Sequence, residues 1–200
     1  LVVLSNNDGN VIARSAEAKK LGIGMGVLSG SVREFVQSHG LQIRSSNYAL
    51  YGDMSSRVME TLEQLLPNVE RYSIDEAFAD VSGLSRDRLV ELCHFVSRRV
   101  LRHTGIQVSI GVARTKTLAK VANSLAKRRP ELAGVCIGTE PLSFSRALEQ
   151  MDTVDVWGIG RKISVKLAKL GITTARQLRD AEPEWIKRRF SVVLMRTVLE

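Results

Sequence analysis

Apolar and polar positions over the first third of the chain predict short strands and helices separated by glycines. Apolar runs at residues 1–4 and 11–13 flank Asn6-Asn7-Asp8-Gly9, and an Asp-Gly turn between two such runs is typical of a β-hairpin. Residues 16–21 and 32–38 have the spacing of short helices, and a glycine suited to a helix C-terminus follows each of them. The chain is therefore expected to begin with a small mixed layer.

The middle of the chain combines two long helical patterns with several strand patterns. Apolar residues recur at helical spacing over residues 47–65, before Pro67, and again over residues 87–103. Strands are predicted over residues 69–73, 77–81, 106–113 and 134–138. The clearest of these strands is 106–113, because apolar residues occupy alternate positions there.

A helix is predicted after Thr115, which can cap its N-terminus. This helix has one apolar face and one basic face. The apolar stripe consists of Leu118, Val121, Ala122 and Leu125. The other face carries Lys116, Lys120, Asn123 and Lys127. Beyond Pro141 the pattern is helical, with breaks at Gly158-Ile159-Gly160 and Gly171. Helices mixed with antiparallel-looking strands, followed by helices alone, predict an α+β layer and then a small helical domain.

Composition narrows the class of protein. The 200 residues are 44% hydrophobic and 25% charged, which is typical of a globular chain and excludes a disordered tail. No apolar run approaches the roughly 18 residues of a membrane span. Cys93 and Cys136 lack metal-ligand spacing, which argues against a disulfide framework or structural zinc and favours the cytoplasm. The chain starts within an apolar run at Leu1 and stops within a helical pattern at Glu200, so we expect a fragment cut at both ends.

The positive charge is concentrated in the second part of the chain. The net charge is +8 overall, and no acidic residue occurs between Glu91 and Glu131, a stretch that holds nine Lys or Arg residues. A second acid-free stretch, between Asp155 and Asp180, carries six more basic residues. One such stretch is equally well explained as a solvated face. Two together favour binding to a polyanion, most simply nucleic acid.

Asp75-Glu76 and Lys120 are the first candidates for chemistry. Adjacent carboxylates between two apolar strands suit Mg²⁺, a hard cation that is often bound by one or two carboxylates and substrate phosphates. By itself, such a dipeptide is more simply a solvated acidic turn. Lys120, together with Lys116 and Lys127, suits contact with phosphate oxygens. From the helix alone, a merely solvated lysine face is an equally good interpretation.

The stretch from Val156 to Lys162 has the pattern of a helix-hairpin-helix, in which an apolar residue and Gly-x-Gly precede a basic helix. Backbone N–H groups at the start of that helix can bind one phosphate of a DNA strand without reading bases. The alternative is an ordinary turn between two helices of a bundle. We expect a positive φ at Gly160, where valine would fit poorly. Trp157 and Trp185 are expected in the core.

Five motifs in this order resemble the Y-family translesion DNA polymerases, most closely those of the bacterial UmuC type. The motifs are Ser-Asn-Asn-Asp-Gly9 with its downstream Ala-Glu-Ala-Lys19, Tyr51-x-Asp-Met-Ser-x-Arg-Val58, Tyr72-Ser-Ile-Asp-Glu-Ala-Phe78, Gly111-Val-Ala-Arg-Thr-Lys-Thr-Leu-Ala-Lys120 and Val156-Trp-Gly-Ile-Gly160. The resemblance implies an α+β right hand. It would have α/β fingers in residues 1–46, incomplete at the N-terminus, a mixed-sheet palm in 47–139, and a small helical thumb in 140–200 with the helix-hairpin-helix.

The resemblance also implies roles for individual residues. Asp75 and Glu76 match the second carboxylate motif, so they would be catalytic and would bind Mg²⁺, of which the complete enzyme uses two ions. Nucleotide-binding residues would be Lys120, Lys19 and Arg14. DNA-binding residues would be Gly158, Gly160, Arg161, Lys162 and Lys166. Many family members bind the triphosphate with a Thr and a Tyr at the positions that Ala13 and Ala16 occupy here. The contacts to the triphosphate are therefore expected to differ in this chain.

The function that the resemblance implies is error-prone, template-directed DNA synthesis in translesion and SOS repair, by two-metal nucleotidyl transfer. Primer-template DNA and deoxynucleoside triphosphates would be the substrates. A UmuD-type accessory subunit, a RecA-type filament and a sliding clamp would be partners, and no membrane is implied. The first catalytic motif is expected before Leu1 and the little-finger domain after Glu200, so we expect this fragment to be inactive alone. A non-catalytic DNA-binding protein with the same scaffold is the alternative. A small helix-hairpin-helix repair factor would explain only residues 150–180.

Overall fold

The computed structural model describes residues 1–138 and 141–200, which form two compact units, Leu1–Arg57 and Val58–Glu200. The described strands are β1 (Val2–Leu4), β2 (Val11–Arg14), β3 (Ile43–Arg44), β4 (Glu70–Arg71), β5 (Ala77–Phe78), β6 (Ile110–Val112) and β7 (Val135–Ile137). The described α-helices are α1 (Ala16–Lys20), α2 (Glu34–His39), α3 (Tyr48–Leu65), α4 (Arg86–Thr104), α5 (Lys116–Arg128), α6 (Pro141–Glu149), α7 (Arg161–Ala168), α8 (Ala175–Arg179), α9 (Pro183–Arg189) and α10 (Val192–Leu199). The predicted α+β class is confirmed. The expected boundary between palm and thumb, at residues 139 and 140, lies outside the described residues.

The first unit is built on a three-stranded sheet in the order β2-β1-β3. The predicted hairpin is confirmed, since β1 and β2 are antiparallel. Strand β3 pairs with β1 in parallel and was not predicted, because two residues are too few to show a pattern. Ser15 caps α1 by accepting a hydrogen bond from the Ala18 N–H, and Gly40 ends α2 with a left-handed backbone. The core consists of Val2, Leu4, Val11, Ala18, Ile23, Val32 and Leu41.

The second unit has two separate strand pairs. Strands β4 and β5 form an antiparallel hairpin, whereas β6 and β7 are parallel. The expectation of antiparallel strands is therefore wrong for β6 and β7. The predicted strand over residues 106–113 is also too long, because its partner β7 offers only three residues for pairing.

Helix α5 lies directly against β6, and Gly111 makes this contact possible. A Cβ atom on Gly111 would lie 2.1 Å from the Asn123 nitrogen and 2.4 Å from the Ala119 carbonyl oxygen. Only a residue without a side chain fits this approach. Thr115 caps α5 as predicted, by accepting a hydrogen bond from the Leu118 N–H. The strand and the cap together fix where the lysines of α5 project.

One hydrophobic core joins α5 to the helices that follow it. Val121 and Ala122 of α5 pack in the same buried cluster as Phe144, Leu167 and Ile186. The helical character predicted for the C-terminal third is confirmed within the described residues. In the part of the chain that the structure describes, each helix is too short or too polar to cross a bilayer.

Candidate functional site

The turn between β4 and β5 presents two carboxylates at its tip. The backbone N–H groups of Tyr72 and Ser73 both donate to the Glu76 carbonyl oxygen, each at 3.0 Å. The Ser73 hydroxyl then donates to Asp75 Oδ1 at 2.7 Å. These bonds hold the turn closed, so that Asp75 is exposed while Glu76 is half-buried. We call residues 70–78 the carboxylate hairpin.

The base of the carboxylate hairpin is anchored to α3 by an ion pair. Arg71 donates from Nε to Glu63 Oε1 at 2.8 Å and from Nη2 to Glu63 Oε2 at 2.9 Å. The hydrogen bonds from this guanidinium lower the pKa of the Glu63 carboxyl. Two parallel bonds of this kind fix orientation as well as distance.

Two lysines of α5, one helical turn apart, bind the two glutamates of the carboxylate hairpin. Lys120 Nζ donates to both carboxylate oxygens of Glu76, at 2.9 and 2.7 Å. Lys116 Nζ lies 2.5 Å from Glu70 Oε2. The Lys120 side chain is only 25% exposed, so its pair with Glu76 is screened by water less than a fully exposed pair. The structure thus brings together Glu76 and Lys120, two of the residues singled out from the sequence.

Two aromatic rings contact Lys120, and a third ring packs against both of them. The rings of Tyr72 and Trp157 have centroids 5.2 and 5.4 Å from the Lys120 nitrogen, within the range of cation–π attraction. The ring of Phe78 contacts both of the other rings. The indole N–H of Trp157 donates to the Tyr72 hydroxyl oxygen at 3.1 Å.

The sequence interpretation of Trp157 as a core residue of a helix is therefore wrong. Trp157 is half-buried and lies in a loop beside the carboxylate hairpin. Tyr72 and Ser73 were also missed as parts of the site. The available signal for Tyr72 and Ser73 was their position within three residues of Asp75. For Trp157 it was its place next to a glycine turn rather than within a helical repeat.

A cleft of about 210 Å³ opens beside the Lys120–Glu76 pair. It is lined by Glu76, Lys120, Val121, Asn123, Ser124, Lys127, Asp155 and Trp157. The Asn123 amide nitrogen donates to the Ser109 carbonyl oxygen, whereas its Oδ1 is buried without a hydrogen-bond partner in the described part of the chain. The polar face predicted for α5 therefore borders this cleft.

The glycine loop, residues 156–160, connects a short 3-10 helix (Thr153–Asp155) to α7. The positive φ of +85° is found at Gly158, whereas Gly160 has an extended backbone with φ −81°. The expectation of a positive φ at Gly160 is wrong, and a Cβ there would meet nothing within 4 Å. Three residues of 3-10 helix, rather than a longer helix, precede the loop.

Helix α7 carries the predicted basic residues, with Arg161 and Lys162 in its first turn and Lys166 in its last. Arg161, Lys162 and Lys166 are all exposed. Gly160 is the N-cap and has no side chain to accept hydrogen bonds from the first turn. Its carbonyl oxygen accepts from the Ile163 and Ser164 N–H groups, so the earlier N–H groups of the helix face outward.

Arg14 and Lys19 belong to the first unit. Lys19 is exposed on α1, as are Ala13 and Ala16 near it. Arg14 is half-buried, and its Nη1 donates to the Ile23 carbonyl oxygen at 2.9 Å. Part of this guanidinium therefore holds the unit's own backbone.

Both metal ligands proposed from the sequence lie in the carboxylate hairpin. Among residues 1–138 and 141–200, no group of three or more His, Cys, Asp or Glu side chains is arranged to hold a metal ion. The two carboxylates Asp75 and Glu76 are the hard oxygen donors that Mg²⁺ prefers, and substrate phosphates usually complete such a site. The donor set thus fits part of a magnesium site.

Comparisons with known proteins identify the family. The chain is 47% identical to Protein UmuC of Salmonella typhimurium over 202 residues, which cover 100% of this chain and 48% of that protein. The structure of DinB from Sulfolobus solfataricus is similar to this chain, with a TM-score of 0.79 and 25% sequence identity. The match covers 99% of this chain and 57% of the DinB chain. A Y-family DNA polymerase chimera of Dbh and Dpo4 is also similar, with a TM-score of 0.81 and 26% sequence identity. That match covers 100% of this chain and 58% of the chimera.

The chain spans about half the length of UmuC, and the shared part is the one that carries the carboxylate hairpin and the glycine loop. The model of the impB/mucB/samB family matches residues 1–124. This match includes Asp75, Glu76 and Lys120. The chain therefore belongs to the impB/mucB/samB family, as the resemblance of its motifs to UmuC-type Y-family polymerases predicted.

Proposed function

We propose that this chain forms the catalytic region of an error-prone, template-directed DNA polymerase that copies damaged templates during the SOS response. The observation that carries the proposal is the carboxylate hairpin, with Asp75 exposed and Glu76 bound to Lys120, beside a glycine loop followed by exposed basic residues. Carboxylates next to a cation and an anion-binding loop suit phosphoryl transfer, in which the protein mainly positions and neutralises charge.

Lys120 is proposed to bind the incoming triphosphate. In this structure its ammonium group neutralises Glu76. A triphosphate carries more negative charge than one carboxylate, so it can draw Lys120 away from Glu76. Lys19 and Arg14 of the first unit are proposed as further nucleotide-binding residues, as the resemblance implies.

Asp75 and Glu76 are proposed to hold Mg²⁺. When bound, the ions stabilise charge on the attacking 3′-oxygen and on the leaving pyrophosphate. Lys120 donates to both oxygens of Glu76, and each of these oxygens keeps a further lone pair that a metal ion could use.

The glycine loop and α7 are proposed to grip the DNA backbone. Outward N–H groups at the start of α7 and the side chains of Arg161, Lys162 and Lys166 would bind phosphates without reading sequence. In this proposal residues 1–46 act as fingers, 47–139 as palm and 140–200 as thumb with a helix-hairpin-helix. A UmuD-type subunit, a RecA-type filament and a sliding clamp are the proposed partners in the cytoplasm.

The proposal is tested by Asp75→Asn in the full-length protein, with Asp80→Asn as the matched control. Asp80 lies just beyond β5, where its Oδ1 accepts a hydrogen bond from the Ser82 N–H. Asp80→Asn changes the net charge of the protein by the same amount as Asp75→Asn. We expect Asp75→Asn to lose primer extension, by a factor of about 100 or more, because the metal ligand is gone. Duplex binding in a gel-shift assay should persist in both variants, and Asp80→Asn should extend primers normally.

Extension by Asp75→Asn at the unmodified rate would refute the assignment of Asp75 as a metal ligand. A full-length protein that binds primer-template DNA but never extends it would instead establish the alternative, a non-catalytic DNA-binding protein with the polymerase scaffold.

A further inference from the structure

Trp157 lies where the glycine loop, the carboxylate hairpin and α5 meet. Its N–H donates to the Tyr72 hydroxyl oxygen at 3.1 Å, and its ring meets the Tyr72 ring edge-on, at 86° with centroids 5.4 Å apart. On the same indole, the centroid is 5.4 Å from the Lys120 nitrogen. One side chain of the loop therefore contacts both the carboxylate hairpin, at Tyr72, and α5, at Lys120.

The loop holds this indole on a short, firmly anchored backbone. Val156 and Ile159, on either side of Trp157, are buried with 7% and 5% exposure in the core of the second unit. The Ile159 N–H donates to the Val156 carbonyl oxygen, and Gly158 supplies the left-handed turn between them. Because the backbone on both sides of Trp157 is held in this way, a phosphate that binds at Gly158 or Gly160 and shifts the loop also shifts the indole.

We propose that Trp157 is a positioning residue that couples phosphate binding at the glycine loop to the placement of Lys120. The inference rests on the proposed function, because it takes the loop as the DNA contact and Lys120 as the nucleotide contact. The indole face holds the Lys120 ammonium beside Glu76, within reach of an incoming phosphate. When DNA binds the loop, the indole is fixed, and with it the position of the ammonium group.

A spectroscopic experiment tests the coupling directly. The chain has two tryptophans, so Trp185→Phe leaves Trp157 as the single indole. We expect its emission to change as a short DNA duplex is added without nucleotide, with the same midpoint as the anisotropy of the labelled duplex. Lys120→Met should alter the emission of the free chain, because the cation leaves the ring. Lys127→Met, two helical turns further along α5, is the matched control and should not alter it.

A kinetic experiment separates positioning from a general structural role. In the full-length enzyme, we expect Trp157→Leu to raise the apparent KM for the nucleotide about fivefold, with kcat preserved. In a Lys120→Met background, Trp157→Leu should have no further effect, since it acts through that lysine. Tyr72→Phe, which removes only the hydroxyl, should raise KM by a smaller factor and should combine with Trp157→Phe non-additively.

The outcomes distinguish this inference from the function it rests on. If anisotropy shows no duplex binding, the proposed function fails. If the duplex binds while Trp157 emission stays constant, or if the effects of Trp157→Leu and Lys120→Met on KM are simply additive, the function stands and the coupling through Trp157 is overturned.

Discussion

Lys120 is held by a carboxylate and two aromatic faces at once. Glu76 accepts from it twice, and the rings of Tyr72 and Trp157 lie 5.2 and 5.4 Å from its nitrogen. Aromatic faces attract a cation without neutralising it, whereas a carboxylate does both. Lys120 is thus placed to exchange one anion for another with little rearrangement of its other contacts.

Lys120→Ala should therefore weaken nucleotide binding more than DNA binding. A hydrogen bond to a charged group contributes about 1.5–3 kcal/mol, so we expect the apparent KM for the nucleotide to rise about 10- to 100-fold. Steady-state kinetics at varied nucleotide, with a parallel DNA titration, measure the two effects. Lys127→Ala, on the same cleft, should change KM much less. If Lys120→Ala weakened only DNA binding, Lys120 would be a contact to the DNA backbone.

At this scale, the sequence indicated residues whose chemistry is unusual for their surroundings. Asp75, Glu76 and Lys120 could be singled out because charge next to apolar strands or on one helix face is costly without a partner. The contact of Trp157 with Tyr72 could not be predicted, because it joins residues 85 positions apart. The positive φ was assigned to the wrong glycine, since a Gly-x-Gly pattern does not say which glycine turns the chain.

The packing of α5 on β6 is the element contact on which the site depends. Gly111 lets the strand approach so closely that a Cβ would lie 2.1 Å from a backbone nitrogen of the helix. A backbone neighbour cannot rotate away as a side chain can. The spacing between α5 and the strand therefore has no tolerance for a larger residue.

Gly111→Ala should destabilise the protein at the upper end of the range for overpacking, by about 3 kcal/mol or more. Gly52→Ala is the matched control, because Gly52 lies within α3 and a Cβ there meets nothing within 4 Å. Replacing a helical glycine by alanine should stabilise by about 1 kcal/mol. Urea unfolding of both variants measures the difference. Equal stabilities would show that β6 and α5 can separate at no cost.

Helices could be predicted better than strands for a physical reason. Ser15, Thr115 and Gly105 form caps that are local in sequence, and they end or begin helices where expected. Strand ends depend on the partner strand instead. Strand β6 is shorter than its apolar pattern because β7 pairs with three residues only, and nothing local in the sequence specifies that the pair is parallel.

The charge of the whole molecule points to a sequence-independent polyanion contact. The net charge is +8, and α7 exposes Arg161 and Lys162 beside the glycine loop and Lys166 in its last turn. Neutralising phosphates releases counterions, so binding of this kind weakens steeply as salt rises.

Lys162→Ala should weaken duplex binding about equally on unrelated sequences, and it should reduce the slope of log affinity against log salt by about 0.9. Fluorescence anisotropy at several salt concentrations gives both quantities. Lys187→Ala is the control, because Lys187 already pairs with Glu184 on α9, and its salt slope should be unchanged. An unaltered slope in Lys162→Ala would mean that Lys162 is merely solvated.

The core that α5 shares with the C-terminal helices constrains how this protein can be recombined with its relatives. Val121 and Ala122 pack with Phe144, Leu167 and Ile186, so a chimera joined between β7 and α6 would separate the two halves of one packed cluster. The core residues of each part would then pack against side chains from a relative whose core has a different shape. An exchange that keeps α5 with β6 as well as with α6–α10 preserves both this core and the close approach at Gly111, so a crossover point before β6 should give folded hybrids more often than one at the expected boundary between palm and thumb.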